Sequence, residues 1–195
     1  MANEKIERKF LAHFIDAASL AIAGWATKTN YVRLGSDLEE YSEELNPDIE
    51  TSKNILGENS VRINGYDVSS EVDPYYLCTS QNIDSSGTTT STTEPLAEAL
   101  ITIANERMKG TYCKTTKVDV LFKETSEGTL ETIWAYQEQI YVTPKSIGGD
   151  TSGIQIPFSI TNAGTRRKGT FDFSTRQFKA NSSSDSSTSD APAAG

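Results

Sequence analysis

Thr115–Thr143 reads TTKVDVLFKETSEGTLETIWAYQEQIYVT. Val118, Val120 and Phe122 occupy alternate positions, as do Trp134, Tyr136, Ile140 and Val142. A period of two sends alternate side chains to opposite faces of a strand. Glu127-Gly128 supplies turn chemistry between the two runs. The stretch therefore predicts a β-hairpin whose second strand, Leu130–Thr143, is long. The other face of that strand carries Glu131, Ile133, Gln137 and Gln139.

Downstream, Pro144–Gly153 holds Gly148-Gly149 and Gly153 and reads as a loop. Ile154, Ile156, Phe158 and Ile160 then alternate with Gln155, Pro157 and Ser159. The proline implies an edge position or a bulge. Phe171 and Phe173 mark the last expected strand. From Asn181 the chain is Ser/Asp/Ala-rich with no aromatic or large aliphatic side chain, so residues 1–180 form the expected domain and 181–195 a disordered tail.

Upstream, Pro95–Lys109 predicts a helix. Leu96, Leu100, Ile103 and Ala104 form an apolar stripe at helical spacing. Thr93 suits the N-cap, Pro95 the first turn and Gly110 the C′ position. Leu77–Thr93 is dense in Ser and Thr and reads as a flexible loop. Phe10–Ile15 is open between strand and helix start, Ala17–Trp25 suggests a short helix, and Thr29–Leu34 a strand.

Between these lies Ser36–Pro74, SDLEEYSEELNPDIETSKNILGENSVRINGYDVSSEVDP. Leu38, Tyr41 and Leu45 allow a helical turn before Asn46-Pro47 breaks it. Asp48–Asn54 alternates in the manner of an exposed hairpin arm, with Gly57 at the turn. Ser60–Val68 returns as a strand, expected to belong to the subunit's own sheet, with Val61 and Ile63 on one face. About seven strands and one helix make the expected fold mainly β: a β-sandwich or open barrel with one flanking α-helix and long projecting loops.

Net charge is −9 over 195 residues. That balance argues against phosphate-directed nucleic-acid binding, which needs clustered cations. Eight acids and one lysine lie between Asp37 and Glu58, whereas Arg166, Arg167, Lys168, Arg176 and Lys179 gather near the C-terminus. Patches of opposite sign either meet across an interface or form two solvated loops. The chain has two cysteines, Cys78 and Cys113, without metal-site spacing, and they are expected to be thiols. No apolar run approaches the roughly 18 residues of a membrane span, and the N-terminus lacks a signal-peptide layout.

Catalytic signatures are weak. The pairs Glu39-Glu40 and Glu43-Glu44 lack calcium-loop spacing and sit in a polar run. Asp150-Thr-Ser-Gly153 is a single copy of an aspartic-protease-like tetrad. Gly148-Gly149 has no following Lys-Ser/Thr. The single histidine, His13, lies among Phe10, Leu11, Phe14 and Ile15 and reads as a packed or interface imidazole. Trp134 and Tyr136 read as packing against the helix, with a sugar- or base-stacking platform as the other reading. No enzyme activity, cofactor or metal is expected.

Taken in order, residues 37–76 (DLEEYSEELNPDIETSKNILGENSVRINGYDVSSEVDPYY), the helix, KTTKVDV, GGDTSGIQIPFSI and RRKGTFDFSTRQF resemble the major tail protein, or tail tube protein, of long-tailed phages and prophages of Gram-positive bacteria. The resemblance spans Glu4 to Phe178. It departs at Ser80–Thr93, which has the character of an insertion, and after Ala180. It implies hexameric rings stacked into a hollow tube that conducts genomic DNA, and an inner wall of β-strands from every subunit. It also implies an arm that reaches neighbouring copies. On this reading Asp37, Glu39, Glu40, Glu43, Glu44, Asp48, Ile49, Ile55 and Leu56, with Arg166, Arg167 and Lys168, are expected subunit-interface residues. The implied partners are further copies of the chain and the tape-measure, tail-terminator and distal-tail proteins. DNA would pass without specific binding, and no membrane is involved. The implied location is the virion tail, assembled in the host bacterial cytoplasm. A contractile or bacteriocin-like tail tube, a β-sandwich adhesin and a small hydrolase are the competing readings.

Overall fold

The computed structural model describes residues 5–35, 41–83 and 89–181. In chain order its strands are β1 (Leu11–Asp16), β2 (Tyr31–Arg33), β3 (Pro47–Lys53), β4 (Asn59–Tyr66), β5 (Ser69–Val72), β6 (Thr79–Ile83) and β7 (Thr89–Thr93). Helix α1 (Pro95–Asn105) follows. Then come β8 (Lys114–Glu124), β9 (Leu130–Pro144), β10 (Gly148–Asp150), β11 (Gly153–Gln155), β12 (Phe158–Asn162), β13 (Arg167–Asp172) and β14 (Gln177–Ala180). Phe10–Ile15 thus resolves as strand.

The β8–β9 hairpin forms as the alternation predicts, antiparallel from Lys114↔Tyr141 to Glu124↔Leu130. Gly128 takes φ +77° in its turn, a conformation that costs a residue without Cβ little. Leu121 pairs with Trp134 and Phe122 with Thr132, which leaves Ile133 as a bulge. An extra residue on one strand bends it and increases its twist. β1 pairs with the free edge of β8, and β2 with β1.

The other edge of β9 is shared. Its C-terminal half pairs with β12, which carries β5, and its middle pairs with β13, which carries β14. The result is one eight-stranded sheet that forks. On the β13 branch the sheet rolls up, and the Phe171 ring lies 4.4 Å from Phe14 although β8 and β9 intervene. Thr29 Oγ1 donates to Gln177 Oε1 at 3.0 Å and links the two ends of the roll. The interior of this open barrel holds Ala12, Phe14, Tyr31, Val118, Val120, Phe122, Ala135 and Phe171. On the opposite face α1 lays Leu96, Leu100 and Ile103 against Ile15, Ile140, Val142, Phe158 and Ile160, a second apolar core. Fully burying a side chain of this size contributes about 1.5–3 kcal/mol.

Several expectations are corrected. Ser60–Val68 is not part of the subunit's own sheet; β4 pairs with β3 alone, and β5 enters the sheet instead. Within Leu77–Thr93, expected as a loop, β6 and β7 pair antiparallel from Thr79↔Thr93 to Ile83↔Thr89, and residues 84–88 lie outside the described residues. Pro144–Gly153 contains part of a small ribbon, β10–β11. Ala17–Trp25 supplies only a 3-10 turn at Ala17–Ser19, held by the Asp16 carboxylate through Ala18 N and Ser19 Oγ. The main sheet has eight strands, and β14 follows the one expected to be last.

The helix is shorter than predicted. Glu94 rather than Thr93 precedes it, without a side-chain cap, and its carboxylate accepts from the Tyr75 hydroxyl at 2.8 Å. At the other end Met108 N donates to Ile103 O and Arg107 N to Ala104 O, a Schellman closure. Arg107 therefore takes the left-handed position, φ +51°, that the sequence suggested for Gly110. Residues 182–195, and with them the expected tail, lie outside the described residues.

At Gly169 the partner strand β14 leaves no room for a side chain. A Cβ there would lie 2.3 Å from Lys179 O and 2.5 Å from the Phe178 ring. Gly169→Ala is expected to lower stability by about 1–3 kcal/mol, since an overpacked site must shift backbone. The midpoint of urea unfolding, with unchanged slope, is the measurement.

Candidate assembly surface

β3 and β4 form a ribbon that touches no core. Every residue of both strands is exposed except Gly65, which is partly covered. Asp48 pairs with Gly65 and Ile49 with Ile63, so Asn64 is an extra residue near the root. One face carries Ile49, Thr51, Val61 and Ile63; the other carries Glu50, Ser52, Ser60 and Arg62. The seven residues of β3 project roughly 23 Å at about 3.3 Å each.

The tip is a built turn. Asn54 Oδ1 accepts from Leu56 N at 3.0 Å and Glu58 N at 2.9 Å, and Asn54 Nδ2 donates to Glu58 Oε2 at 2.7 Å. Gly57 takes φ +81°. The turn holds out Ile55 and Leu56, which are 103% and 79% exposed. An isolated two-stranded hairpin is marginal in water. A ribbon that also exposes five aliphatic side chains is shaped for a surface that covers it.

The root is fixed. Residues 41–46 run as an extended strap rather than the helical turn the sequence allowed, and Leu38 lies outside the described residues. Glu44 and Ser69 exchange both backbone hydrogen bonds, at 2.9 and 3.1 Å. The Tyr41 hydroxyl lies 3.0 Å from Ser70 Oγ, and its ring centroid 4.4 Å from that of His13. The strap covers the face of β8 that carries Lys117 and Asp119. Lys117 has no solvent exposure; its ammonium contacts the Glu43 carboxylate and lies 3.5 Å from Asp119 Oδ2. His13 Nδ1 donates to Asp119 Oδ1 at 2.7 Å, and Arg166 Nη2 to Oδ2 at 3.1 Å. The Arg166 guanidinium sits 4.7 Å above the Tyr136 ring.

Burial holds the Lys117 ammonium below the ordinary lysine value, against the pull of Asp119 and Glu138. Burial pushes Asp119 up, yet the His13 hydrogen bond and the charges of Lys117 and Arg166 outweigh it and leave the carboxyl below its usual range. Burial raises Glu138 beside them more than Lys117 and Arg166 lower it. His13, Glu43 and Asp119 are the one trio among the described residues with metal-type ligand atoms close enough together, within 4.8 Å. Lys117 contacts two of the three and supplies the positive charge itself. The arrangement is an ionic pin that clamps the strap, and so aims the arm.

The sequence-derived interface residues divide accordingly. Asp48, Ile49, Ile55 and Leu56 are on the arm. Glu43 and Arg166 belong to the pin, and Glu44 to the bridge with β5. Arg167 and Lys168 are exposed on β13. Asp37, Glu39 and Glu40 lie outside the described residues. Trp134 and Tyr136 pack on one another, centroids 5.5 Å apart, beside the strap rather than under α1. His13 is packed, as expected. Its partner Asp119 was invisible, because K-V-D-V alternation reads as one core face and one solvent face. Cys113 is buried, Cys78 is exposed, and no disulfide joins them.

No family model matches the chain, and no curated protein matches it. Among solved structures, one described as a crystal structure of Hcp protein aligns with 88% of this chain and 98% of its own. Identity is 9% and the TM-score 0.33, too slight a likeness to carry a residue or a role across.

Removing one partner of a buried ion pair strands the other, at a cost of about 3–5 kcal/mol. Lys117→Met alone is expected to approach that loss. Lys117→Met with Glu43→Leu should recover much of it, and a double-mutant cycle by chemical denaturation measures the coupling. A carboxyl whose folded-state pKa is lowered stabilises above its unfolded value, about 3.9, and loses that contribution as pH falls through the lowered value. The stabilisation from the Asp119 carboxyl itself should therefore be lost as pH falls through that lowered value, which an acid-unfolding titration of the intact chain against Asp119→Asn measures.

Proposed function

We propose that the chain is a non-catalytic, self-assembling subunit whose copies join head to tail into rings and a hollow tube. The observation that carries this reading is the arm: a fully exposed amphipathic ribbon with a preformed apolar tip, clamped to the core by a buried ionic pin. A monomer gains nothing from aiming such an element into solvent. A heterologous contact, in which an arm meets a different surface on the next copy, propagates instead of closing on itself.

The finer assignment follows the sequence resemblance. The tube is that of a phage tail in the virion, built in the host cytoplasm, with tape-measure, terminator and distal-tail proteins as further partners. Its lumen passes DNA without binding it. A net charge of −9 supports that lumen, since phosphates find few cations to hold them. The second reading is the tube of a contractile or bacteriocin-like tail; the arm serves it equally, and co-assembly with a sheath protein distinguishes the two. The adhesin reading loses ground because Arg166 already occupies the Tyr136 face.

The arm can be removed cleanly. Asn46 and Asp67 are held together by Asp67 N to Asn46 O and by Asn46 Nδ2 to Asp67 O, each 3.1 Å. Replacing Pro47–Tyr66 with a short glycine turn should leave a folded monomer by circular dichroism. The intact chain should give rings or tubes in negative stain and the deletion none. An intact chain that stays monomeric at high concentration in every salt sinks the proposal.

A further inference from the structure

The arm tip has no seat on its own subunit, so a partner surface must supply one. Ile55 and Leu56 require an apolar recess that admits two branched side chains. Three clefts among the described residues compare directly. The cleft of about 450 Å³ beside Trp25 is walled by Thr116, Gln137, Glu138, Gln139 and Arg167, and aliphatic side chains would strand those polar groups. The cleft of about 180 Å³ at the pin is small and borders the arm's own root. The third, about 460 Å³, lies between the C-terminal end of α1 and the end of β9. Ile103, Met108, Cys113, Pro144 and Ile147 line it. Ile147 stands 46% exposed at its edge. Its charged residues are Arg107 and Lys145, and the Lys145 ammonium already contacts the Glu71 carboxylate, so Arg107 is the cation it offers. The arm offers one acid of matching sign beside the tip, Glu58; Lys53 flanks the tip on the other strand, and further down Glu50 is opposite Arg62.

Resting on the proposed self-assembly, we infer that Ile55 and Leu56 of one copy seat in the α1–β9 groove of a neighbouring copy, with Glu58 towards Arg107. The Schellman turn suits this role. It ends α1 early, after Asn105, and places Arg107 in the groove wall where a longer helix would have continued. Tip and groove are different surfaces of one chain, so each subunit gives one contact and receives one.

The test is a cysteine pair, Leu56→Cys with Ile147→Cys, in a Cys78→Ser, Cys113→Ala background that removes both native thiols, Cys113 being itself a groove residue. Mild oxidation of the assembled protein should give a ladder of covalently linked chains on a non-reducing gel. A control pair, Leu56→Cys with Trp25→Cys at the polar cleft, should give none. Assemblies that form without the ladder, or that ladder through Trp25→Cys instead, overturn the groove assignment and leave self-assembly standing. Failure of the unmodified chain to assemble overturns both. If the cysteine pair folds but does not assemble, Ile147→Glu decides. It leaves tip and core intact, and should raise the critical concentration for assembly at least about ten-fold, as loss of an interface hot spot does. Assembly of Ile147→Glu at the unmodified concentration overturns the inference.

Discussion

The shared edge of β9 is the constraint on which the rest of the structure depends. A strand of fifteen residues offers more edge than any other strand here can cover. β8 takes one side along its length, but the other side divides between β12 and β13. A buried backbone must find partners, so both short strands are needed. Their separate directions then fix the two layers. One branch curls inwards around phenylalanines, and the other flattens beneath α1. The bulge at Ile133 adds twist to the portion of β9 beyond the β13 pairing.

That division leaves the middle of one sheet face without an apolar cover. Lys117, Asp119 and Glu138 stand there, between the helix-covered end and the Trp134–Tyr136 end. The strap covers them, with the Tyr41 ring at one point and the Glu43 carboxylate at the other. Apolar groups in the same places would hold the strap at least as strongly, because desolvating ions offsets most of their attraction. The ionic version adds register. A lysine with no exposure accepts a carboxylate at one place along the strap, whereas an aliphatic contact tolerates sliding. An arm that must present its tip to a fixed groove depends on that register.

Much of this was legible in the chain, for identifiable reasons. Val118, Val120 and Phe122 read as a core-facing strand because a buried face imposes a strict period of two. Leu96, Leu100 and Ile103 read as a helix for the same reason at another period. Ile55 and Leu56 were named as interface residues only through the resemblance, since no local pattern marks them. What failed had no local signal. Thr and Ser density suggested a loop at Leu77–Thr93, but threonine also favours a strand, and a two-stranded ribbon needs no apolar face. Val61 and Ile63 alternate as core residues do, yet they pair only with the arm. Glu43 looked like one acid among several, and Arg166 like part of a basic patch. Their roles depend on Lys117 and Asp119, far away in sequence, and spacing carries no information about that meeting.

The exposed apolar ribbon also bears on how such a subunit avoids premature association. Ribbons with hydrophobic faces and free edges invite edge-to-edge pairing. Here the opposite face carries Asp48, Glu50 and Arg62, and Lys53 flanks the tip. The whole chain repels its copies through a net charge of −9. The arm carries acids and cations side by side, Glu50 opposite Arg62 and Glu58 across the tip from Lys53, so charge by itself does not separate another arm from the groove. What the groove adds is an apolar recess with Arg107 in its wall, and discrimination between partners rests there on burial as well as on charge.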